Sequence, residues 1–286
     1  MTPSTPTSTS WTAEDARACI HLPTAQDHKY SRGVLGVVTG SRQYPGAAVL
    51  SCAAALATGV GMLRFVSTGG LADLVLQRCP EVVVAPGKVH AWLMGSGVAA
   101  PGGASLGNWL RHRQMARART HTAPAVLDAG ALYLAGTLCA PTLITPHAGE
   151  LAALLGSRDV WASHQEVAAE PQKWAAIAHQ ELGVTVLLKG ARTVVAGPGV
   201  CIALPEATPW LATAGTGDVL AGIVGALVVS QHEALARDPG LLAPLAATGA
   251  FIHARAADLA SDGAPLTSAS LLPAISQALR DILHAE

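Results

Sequence analysis

Short runs of β-branched and aliphatic residues alternate with longer apolar segments between residues 33 and 196. Runs of this kind are typical of strands buried on both faces of a sheet. They predict strands at 33–40, 62–66, 82–85, 91–95, 125–128, 142–145, 184–189 and 193–196. Because helical segments separate most of these strands, we expect right-handed crossovers, a mostly parallel sheet and helices on both of its faces. The pattern predicts the α/β fold class.

Helical patterns come early as an Ala-rich stretch ending at Thr58 and a segment at 71–77, and they dominate after residue 214. Helices are predicted there at 217–229, 242–261 and 271–283, with a break at 237–240. Residues 1–10 are rich in Ser, Thr and Pro, which predicts a disordered N-terminal tail. No internal repeat or long flexible linker follows, so residues 11–286 are predicted to form one domain.

Composition narrows the function classes. Half of the 286 residues are apolar and the formal net charge is −1 without a basic run, so we expect a large core and no nucleic-acid partner. The five cysteines include no CxxC pair, which indicates neither a disulfide framework nor a zinc site. The chain starts without the basic and apolar regions of a secretion signal, and Asp218 interrupts the longest apolar run. We therefore expect a cytoplasmic protein with no membrane partner.

The segment Gly215-Thr216-Gly217-Asp218 opens a long apolar helix and is the most informative motif. Glycines at a helix start let backbone N–H groups approach a ligand, and the positive end of the helix favours a phosphoryl group. Asp218 in the first turn could simply be an acid that favours helix formation. Two glycines before it and an apolar helix after it favour a second role, a general base beside a phosphate site.

Two further segments carry candidate groups at predicted strand ends. Thr145-Pro146-His147 ends a strand at Pro146, which places His147 at the ligand-bearing edge, although a histidine there can also be structural. Glu150 is either an acid that starts a helix or a helper in metal and phosphate organisation. Residues 189–193 read as a hairpin turn whose backbone N–H groups and Lys189 could hold a nucleotide phosphate.

In chain order, five elements together resemble the ADP-dependent (S)-NAD(P)H-hydrate dehydratase family of the ribokinase-like superfamily. They are Gly40-Ser41 with Gly46-Ala47-Ala48, Leu127-Asp128-Ala129 with Leu132, Thr145-Pro146-His147-Ala148-Gly149-Glu150, Lys189-Gly190-Ala191-Arg192-Thr193, and Gly215-Thr216-Gly217-Asp218. The resemblance spans residue 29 to about residue 222. Its departures are Ala214, where glycine is commoner, and Gly95-Ser96-Gly97-Val98-Ala99, which lacks one glycine of the family pattern.

The resemblance implies a ribokinase-like fold and a carbon–oxygen lyase that restores NAD(P)H from the 6S hydrates NADHX and NADPHX, with ADP as co-substrate and AMP and phosphate as products. It implies Asp218 as catalytic base, aided by the backbone amides of Gly215, Thr216 and Gly217. The substrate-binding residues would be Ala47, Gly97, His147 and Asp218. The nucleotide-binding residues would be Lys189, Gly190, Ala191, Arg192, Thr193 and Gly217. Mg²⁺ is expected on the phosphates, mostly through water, so no protein ligand for it is named.

Two other functions are compatible with the same motifs. A vitamin-precursor kinase of the hydroxymethylpyrimidine or hydroxyethylthiazole type would use the same anion hole and base but release a stable phosphorylated product. A catalytically silent nucleotide-binding or assembly protein would bind ADP without turnover of any candidate substrate. The resemblance further implies a homo-oligomer, of four chains in its usual form, and a separate NAD(P)H-hydrate epimerase in the same pathway.

Overall fold

The computed structural model describes residues 9–67, 70–101, 106–116 and 122–285, and these residues contain one sheet of nine strands. The strands are β1 (Thr9–Ser10), β2 (Val34–Val38), β3 (Met62–Phe65), β4 (Ala91–Met94), β5 (Ala125–Leu127), β6 (Thr142–Ile144), β7 (Thr185–Leu188), β8 (Val194–Gly197) and β9 (Val200–Ala203). Their order across the sheet is β1-β9-β8-β7-β6-β5-β4-β2-β3. Every neighbouring pair is parallel except the two that involve β8, so the predicted mostly parallel sheet is confirmed.

Helices cover both faces of this sheet. They are α1 (Ala13–Cys19), α2 (Pro45–Ala57), α3 (Leu71–Arg78), α4 (Leu106–Ala116), α5 (Ala148–Gly156), α6 (His164–Ala169), α7 (Pro171–Leu182), α8 (Thr216–Ser230), α9 (His232–Arg237), α10 (Leu242–Ser261) and α11 (Ser268–Leu283). Helices α2, α8, α10 and α11 pack together over one face, while α4, α5 and α7 cover the other. Successive strand residues point to opposite faces of the sheet. Leu93 therefore packs in the core beneath α2, α8, α10 and α11, and Met94 packs in the core beneath α4, α5 and α7.

The structure corrects three parts of the sequence interpretation. The predicted strand at 82–85 is a single parallel bridge between Val83 and Arg64, because Pro86 offers no N–H and forces the chain out of the ladder. Thr9 and Ser10, assigned to the disordered tail, pair with β9; residues 1–8 lie outside the described residues. Strand β9 was missed, although the Pro198-Gly199 turn between β8 and β9 marks a hairpin.

Within the described residues, no helix combines the length and the apolar character that a bilayer crossing requires. Even α8, the most continuously buried helix, has Asp218 in its first turn and packs against α2 and α10.

Candidate active site

Four neighbouring strands deliver polar side chains to the carboxyl edge of the sheet. Ser96 follows β4, Asp128 follows β5, Thr145 follows β6 and Lys189 follows β7, in the order in which these strands lie side by side. In parallel sheets this edge is where ligands bind. The first turns of α5 and α8 reach the same edge, since His147 bridges to Lys189 and Lys189 Nζ lies 3.6 Å from the position that a Cβ on Gly217 would occupy.

The carboxylate of Asp128 lies at the centre of a buried network. Ser96 Oγ donates a hydrogen bond of 2.8 Å to its Oδ2, and Thr145 Oγ1 donates one of 2.8 Å to its Oδ1. Lys189 Nζ also donates to Oδ1, at 2.8 Å. Asp128 is only 3% exposed, and a buried carboxylate of this kind needs such partners to remain charged. The network fixes the ammonium group of Lys189 in the site.

Helix α8 begins without a side-chain cap. Its N-cap is Gly215, which has φ of 89° and whose Cβ, if present, would lie 2.8 Å from both Leu50 and Ser268. Glycine is therefore required here both for the backbone conformation and for the space. No side chain of the described residues caps the first turn, so the N–H groups of Gly217 and Asp218 are left to meet an anion.

Thr216 contributes differently from the prediction, which grouped it with the catalytic amides. Its hydroxyl donates to the carbonyl oxygens of Leu211 and Thr213, both at 2.9 Å, and its N–H donates to Thr213 at 3.4 Å. The side chain is buried. Thr216 therefore ties the preceding 3-10 turn, Pro209–Leu211, to the helix start, and Gly217 and Asp218 are the better candidates for amides that face a ligand.

Asp218 is the titratable group of the first turn of α8. Burial and, second to it, the negative charge of Asp128 raise the pKa of Asp218 from 3.8 to about 6, and the positive charge of Lys189 acts in the opposite direction. Burial also lowers the pKa of Lys189, but the charges of Asp128 and Glu150 outweigh burial and leave that pKa above its usual value. The site thus pairs a permanently charged ammonium with a carboxylate whose pKa is close to neutral pH, a combination typical of general-base sites.

Helix α5 begins with a complete capping box. His147 Nδ1 accepts hydrogen bonds from the N–H groups of Gly149 and Glu150 at 3.1 and 3.2 Å, and Glu150 Oε2 accepts from the His147 N–H at 2.8 Å. The helix-start role weighed for Glu150 is therefore present in the structure. His147 Nε2 lies 3.5 Å from Glu150 Oε2, and the His147 side chain is 60% exposed at the edge.

The predicted hairpin at 189–193 is confirmed as the connection between the antiparallel strands β7 and β8. Gly190, Ala191 and Arg192 are exposed at its tip, and Lys189 and Thr193 are half-buried at its base. The guanidinium of Arg192 lies 3.3 Å from Glu206 in an exposed ion pair. Such pairs are weak, so Arg192 remains free to exchange Glu206 for a phosphate.

The wall, as we name the main chain at Ala47 and Gly97, lies beside Ser96 of the Asp128 network. Gly97 has φ of 66°, and a Cβ on it would clash with the methyl group of Ala47 and approach Gly40 Cα to 3.2 Å. Gly95 has φ of 108° and its Cα faces the Asp128 carbonyl so closely that no side chain fits. Small residues in these positions keep the backbones of β2, β4 and α2 in contact, which leaves a flat wall of main chain for a ligand.

Four residues in or beside the site were not among the predicted candidates, namely three in the Asp128 network and His253. The network residues Ser96, Asp128 and Thr145 could have been found from their places directly after predicted strands, but their mutual contacts depend on the strand order. His253 gives no sequence signal, because it lies inside the apolar pattern of α10. Burial lowers the pKa of His253 to about 4, although a hydrogen bond with the Thr216 backbone acts in the opposite direction. His253 is therefore neutral, and its imidazole supports the first turn of α8.

Comparison with known protein families identifies the relatives of this chain. The model of the family described as NAD(P)H-hydrate dehydratase matches residues 35–279. A relative named ADP-dependent (S)-NAD(P)H-hydrate dehydratase from Neisseria meningitidis serogroup B is 34% identical over 277 residues, which cover 88% of this chain and 86% of the relative. A relative from Mycobacterium leprae, named bifunctional NAD(P)H-hydrate repair enzyme, is 38% identical over 267 residues, 88% of this chain and 51% of the relative. The chain spans about half the length of the bifunctional relatives.

Solved structures share the architecture. A crystal structure of ADP/ATP-dependent NAD(P)H-hydrate dehydratase from Bacillus subtilis, co-crystallised with ATP and Mg²⁺, has a TM-score of 0.80 at 24% identity and covers 95% of this chain and 98% of that one. A ribokinase-like superfamily protein from Enterococcus faecalis has a TM-score of 0.77 at 20% identity, with 96% and 95% covered. At these identities the likeness concerns the fold, and the predicted ribokinase-like fold is confirmed.

Proposed function

Because the chain belongs to the NAD(P)H-hydrate dehydratase family, we propose that it removes water from the 6S hydrates of NADH and NADPH at the expense of ADP. The products are NAD(P)H, AMP and phosphate. The observation that carries the proposal is the convergence of Asp218, whose pKa is raised to about 6, with the Lys189 ammonium and the uncapped first turn of α8. These are a proton acceptor, a cation and main-chain donors at one place.

The first step is phosphoryl transfer. Asp218 accepts the proton of the C6 hydroxyl, and the hydroxyl oxygen attacks the terminal phosphorus of ADP while the bond to AMP breaks. The main-chain N–H groups at Gly217 and Asp218, with the positive end of α8, stabilise the charge on the transferred group. Lys189, held by Asp128, adds a fixed positive charge that costs no reorganisation when the charge develops.

The second step is elimination. The phosphate leaves C6 with the electron pair of the C–O bond, a proton leaves the neighbouring C5, and the nicotinamide ring regains its double bond. The wall of Ala47 and Gly97 and the imidazole of His147 are proposed to hold the ring, and residues 189–193 with Gly217 are proposed to hold the nucleotide. Both ligands then lie across the carboxyl edge of the sheet.

Mg²⁺ is proposed as the companion of the nucleotide and not as a resident of a protein cage. The described residues contain no group of three or more His, Cys, Asp or Glu side chains placed to hold a metal ion, and three donors already occupy the oxygens of Asp128. Magnesium commonly binds nucleotide phosphates and retains several waters. When bound, it would neutralise phosphate charge.

The setting of the reaction is proposed as follows. The protein acts in the cytoplasm as a homo-oligomer, without a nucleic-acid or membrane partner, and an NAD(P)H-hydrate epimerase on a separate chain supplies the 6S form. Support for the compartment comes from the substrate, since reduced nicotinamide cofactors are intracellular metabolites, and a repair enzyme must meet them there.

The decisive experiment follows the products. Purified protein is incubated with NADHX and ADP in the presence of Mg²⁺, and the absorbance of reduced nicotinamide, AMP and phosphate are measured together. The proposal predicts that all three appear in equal amounts. AMP formation with a stable phosphorylated hydrate would instead assign the kinase half-reaction alone, and nucleotide binding without any turnover would assign the silent alternative.

A further inference from the structure

A cavity of about 400 Å³ lies between α4 and the β4-β2-β3 end of the sheet, outside the set of residues assigned to catalysis. It is bounded by Val38 at the end of β2, residues 65–67 at the end of β3, the loop at 84–89, Trp92 on β4 and Gln114 on α4. Its volume is within the range of about 300–1,000 Å³ that is usual for small-molecule sites.

The floor of the cavity is apolar and flat. The Trp92 ring lies across Gly36, where a Cβ would be 2.6 Å from two ring carbons, so the absence of a side chain at Gly36 is what lets the ring lie against the sheet. Val38, Val66 and Val89 surround it. A planar apolar group of a ligand can pack on this floor, as bases do on aromatic side chains.

The charges around the cavity are all positive. Arg64 and Lys88 line it, and no Asp or Glu is among its described lining residues. Arg64 donates to the carbonyl oxygens of Ala85 and Pro86, but its buried Nε has no hydrogen-bond partner in the described chain. The cavity thus has two cationic side chains and no opposing charge among its described lining residues, which favours an anionic ligand.

The cavity adjoins the substrate wall of the active site through Arg111. This buried guanidinium donates to the carbonyl oxygens of Val66 at 2.5 Å and Thr39 at 3.0 Å, and so ties the ends of β2 and β3 together. Val66 lines the cavity, while Thr39 precedes Gly40, which contacts Gly97 in the wall that is proposed to hold the nicotinamide. Arg111 and the ends of β2 and β3 therefore connect the wall with the cavity.

We propose that this cavity is the subsite for the adenosine half of the dinucleotide substrate, with the adenine on the Trp92 floor and a ribose phosphate facing Arg64 and Lys88. The inference rests on the proposed function, since it extends the same substrate beyond its reacting ring. A 2′-phosphate is present in NADPHX and absent in NADHX, so the two cations make the site favour NADPHX.

The test uses Lys88→Gln, because Lys88 is exposed and we expect its replacement to leave the fold intact. The matched control is Lys173→Gln, an exposed lysine on α7. We expect the KM for NADPHX to rise about three- to tenfold in Lys88→Gln, with the KM for NADHX, the KM for ADP and kcat within about twofold of the parent. The control should leave all four constants unchanged.

A second variant, Val84→Glu, adds an acid at the exposed rim of the cavity. It should raise the KM for both hydrates and more strongly for NADPHX. Unchanged KM values in both variants would overturn the proposal. If the cavity instead takes a separate nucleotide, the variants reduce the stoichiometry of AMP binding from two to one per chain without changing either KM, which would also overturn it.

Binding of the stable cofactors separates this inference from the proposed function. Calorimetric titration with NADP⁺ and NAD⁺ needs no turnover. A preference for NADP⁺ in the parent that Lys88→Gln abolishes supports the subsite even if no dehydration occurs. Equal affinities of the parent for the two cofactors would contradict it, whatever the activity.

Discussion

Two helices, α5 and α8, start at the same edge of the sheet with the same pattern but different local structure. Each has glycine at its second position and an acid at its third, namely Gly149 and Glu150 in α5 and Gly217 and Asp218 in α8. In α5 the acid accepts the N–H of the N-cap residue, and the N-cap side chain accepts two further N–H groups. In α8 the N-cap is glycine, and no described side chain caps the turn.

In α5 the protein's own side chains accept the N–H groups of the first turn. In α8 no described side chain accepts them, which leaves these donors for a ligand. Glu150 accepts the N–H of its N-cap residue and lies 3.9 Å from Lys189 Nζ, whereas Asp218 is half-buried and has its pKa raised to about 6. The same residue class at the same helical position therefore caps the helix in α5 and is proposed to act as the base in α8. The N-cap residue makes this difference: His147 has a side chain that caps α5, and Gly215 has none for α8.

The largest expected effect is on catalysis. Asp218→Asn keeps the size of the side chain but removes the proton acceptor, so kcat should fall by about 10²–10⁴-fold. Glu150→Gln is the matched control at the equivalent position of α5, and it should reduce kcat by less than about tenfold. Equal losses in the two variants, measured by recovery of reduced nicotinamide, would show that the comparison between the helices is wrong.

The second effect is on stability. Lys189→Gln leaves the buried Asp128 carboxylate without its ion-pair partner, which should reduce the free energy of unfolding by about 3 kcal/mol. Lys173→Gln breaks an exposed pair with Glu170 and should cost less than about 1 kcal/mol. Denaturant unfolding measures both. Equal losses of unfolding free energy in the two variants would contradict this prediction. So would a double variant, Asp128→Asn with Lys189→Gln, that is no more stable than Lys189→Gln alone.

The third effect is a gain in stability at the cost of activity. The pKa of Asp218 is about 6 in the folded chain against an ordinary value of 3.8, so the folded state binds more protons between these values and becomes less stable as pH rises. The loss of stability that ionised Asp218 causes is complete once the pH is well above 6. Asp218→Asn removes it and should stabilise the protein by about 1–3 kcal/mol at pH 8 and not below pH 4. Denaturant unfolding at the two pH values measures the change in stability. Asp218→Asn would destabilise the protein at pH 8 if folding lowered the pKa of Asp218 instead.

The smallest effect concerns the cap of α5. His147→Ala removes the side-chain acceptor of two N–H groups and should cost about 1 kcal/mol of stability. Its effect on the KM for the hydrates is a separate readout of the proposed contact with the ring. His147→Asn restores a capping side chain and should recover the stability while leaving the KM raised, whereas recovery of both would assign His147 a structural role alone.

Several residues at the carboxyl edge of the sheet were predicted from the sequence, because ligand-binding residues of parallel sheets lie directly after the strands. His147, Lys189 and Asp218 were identified from the residues around them, since Pro146, Gly190 and the two glycines of α8 each mark a local structure. The contacts of Asp128 were not predictable in this way, because Lys189 is 61 residues away and the pairing requires β5, β6 and β7 to be neighbours. His253 was not predictable either, since burial decides its role and burial depends on how α10 packs on α8.

The most direct test of the central claim is the pH dependence of kcat/KM for the parent and for Asp218→Asn. The nucleotide phosphates titrate in the same range, so the profile of the variant is the reference that removes their contribution. The account predicts that the ratio of parent to variant is constant above pH 7 and falls about tenfold for each pH unit below about 6. A ratio that stays constant down to pH 4.5 would contradict the assignment of Asp218 as the proton acceptor.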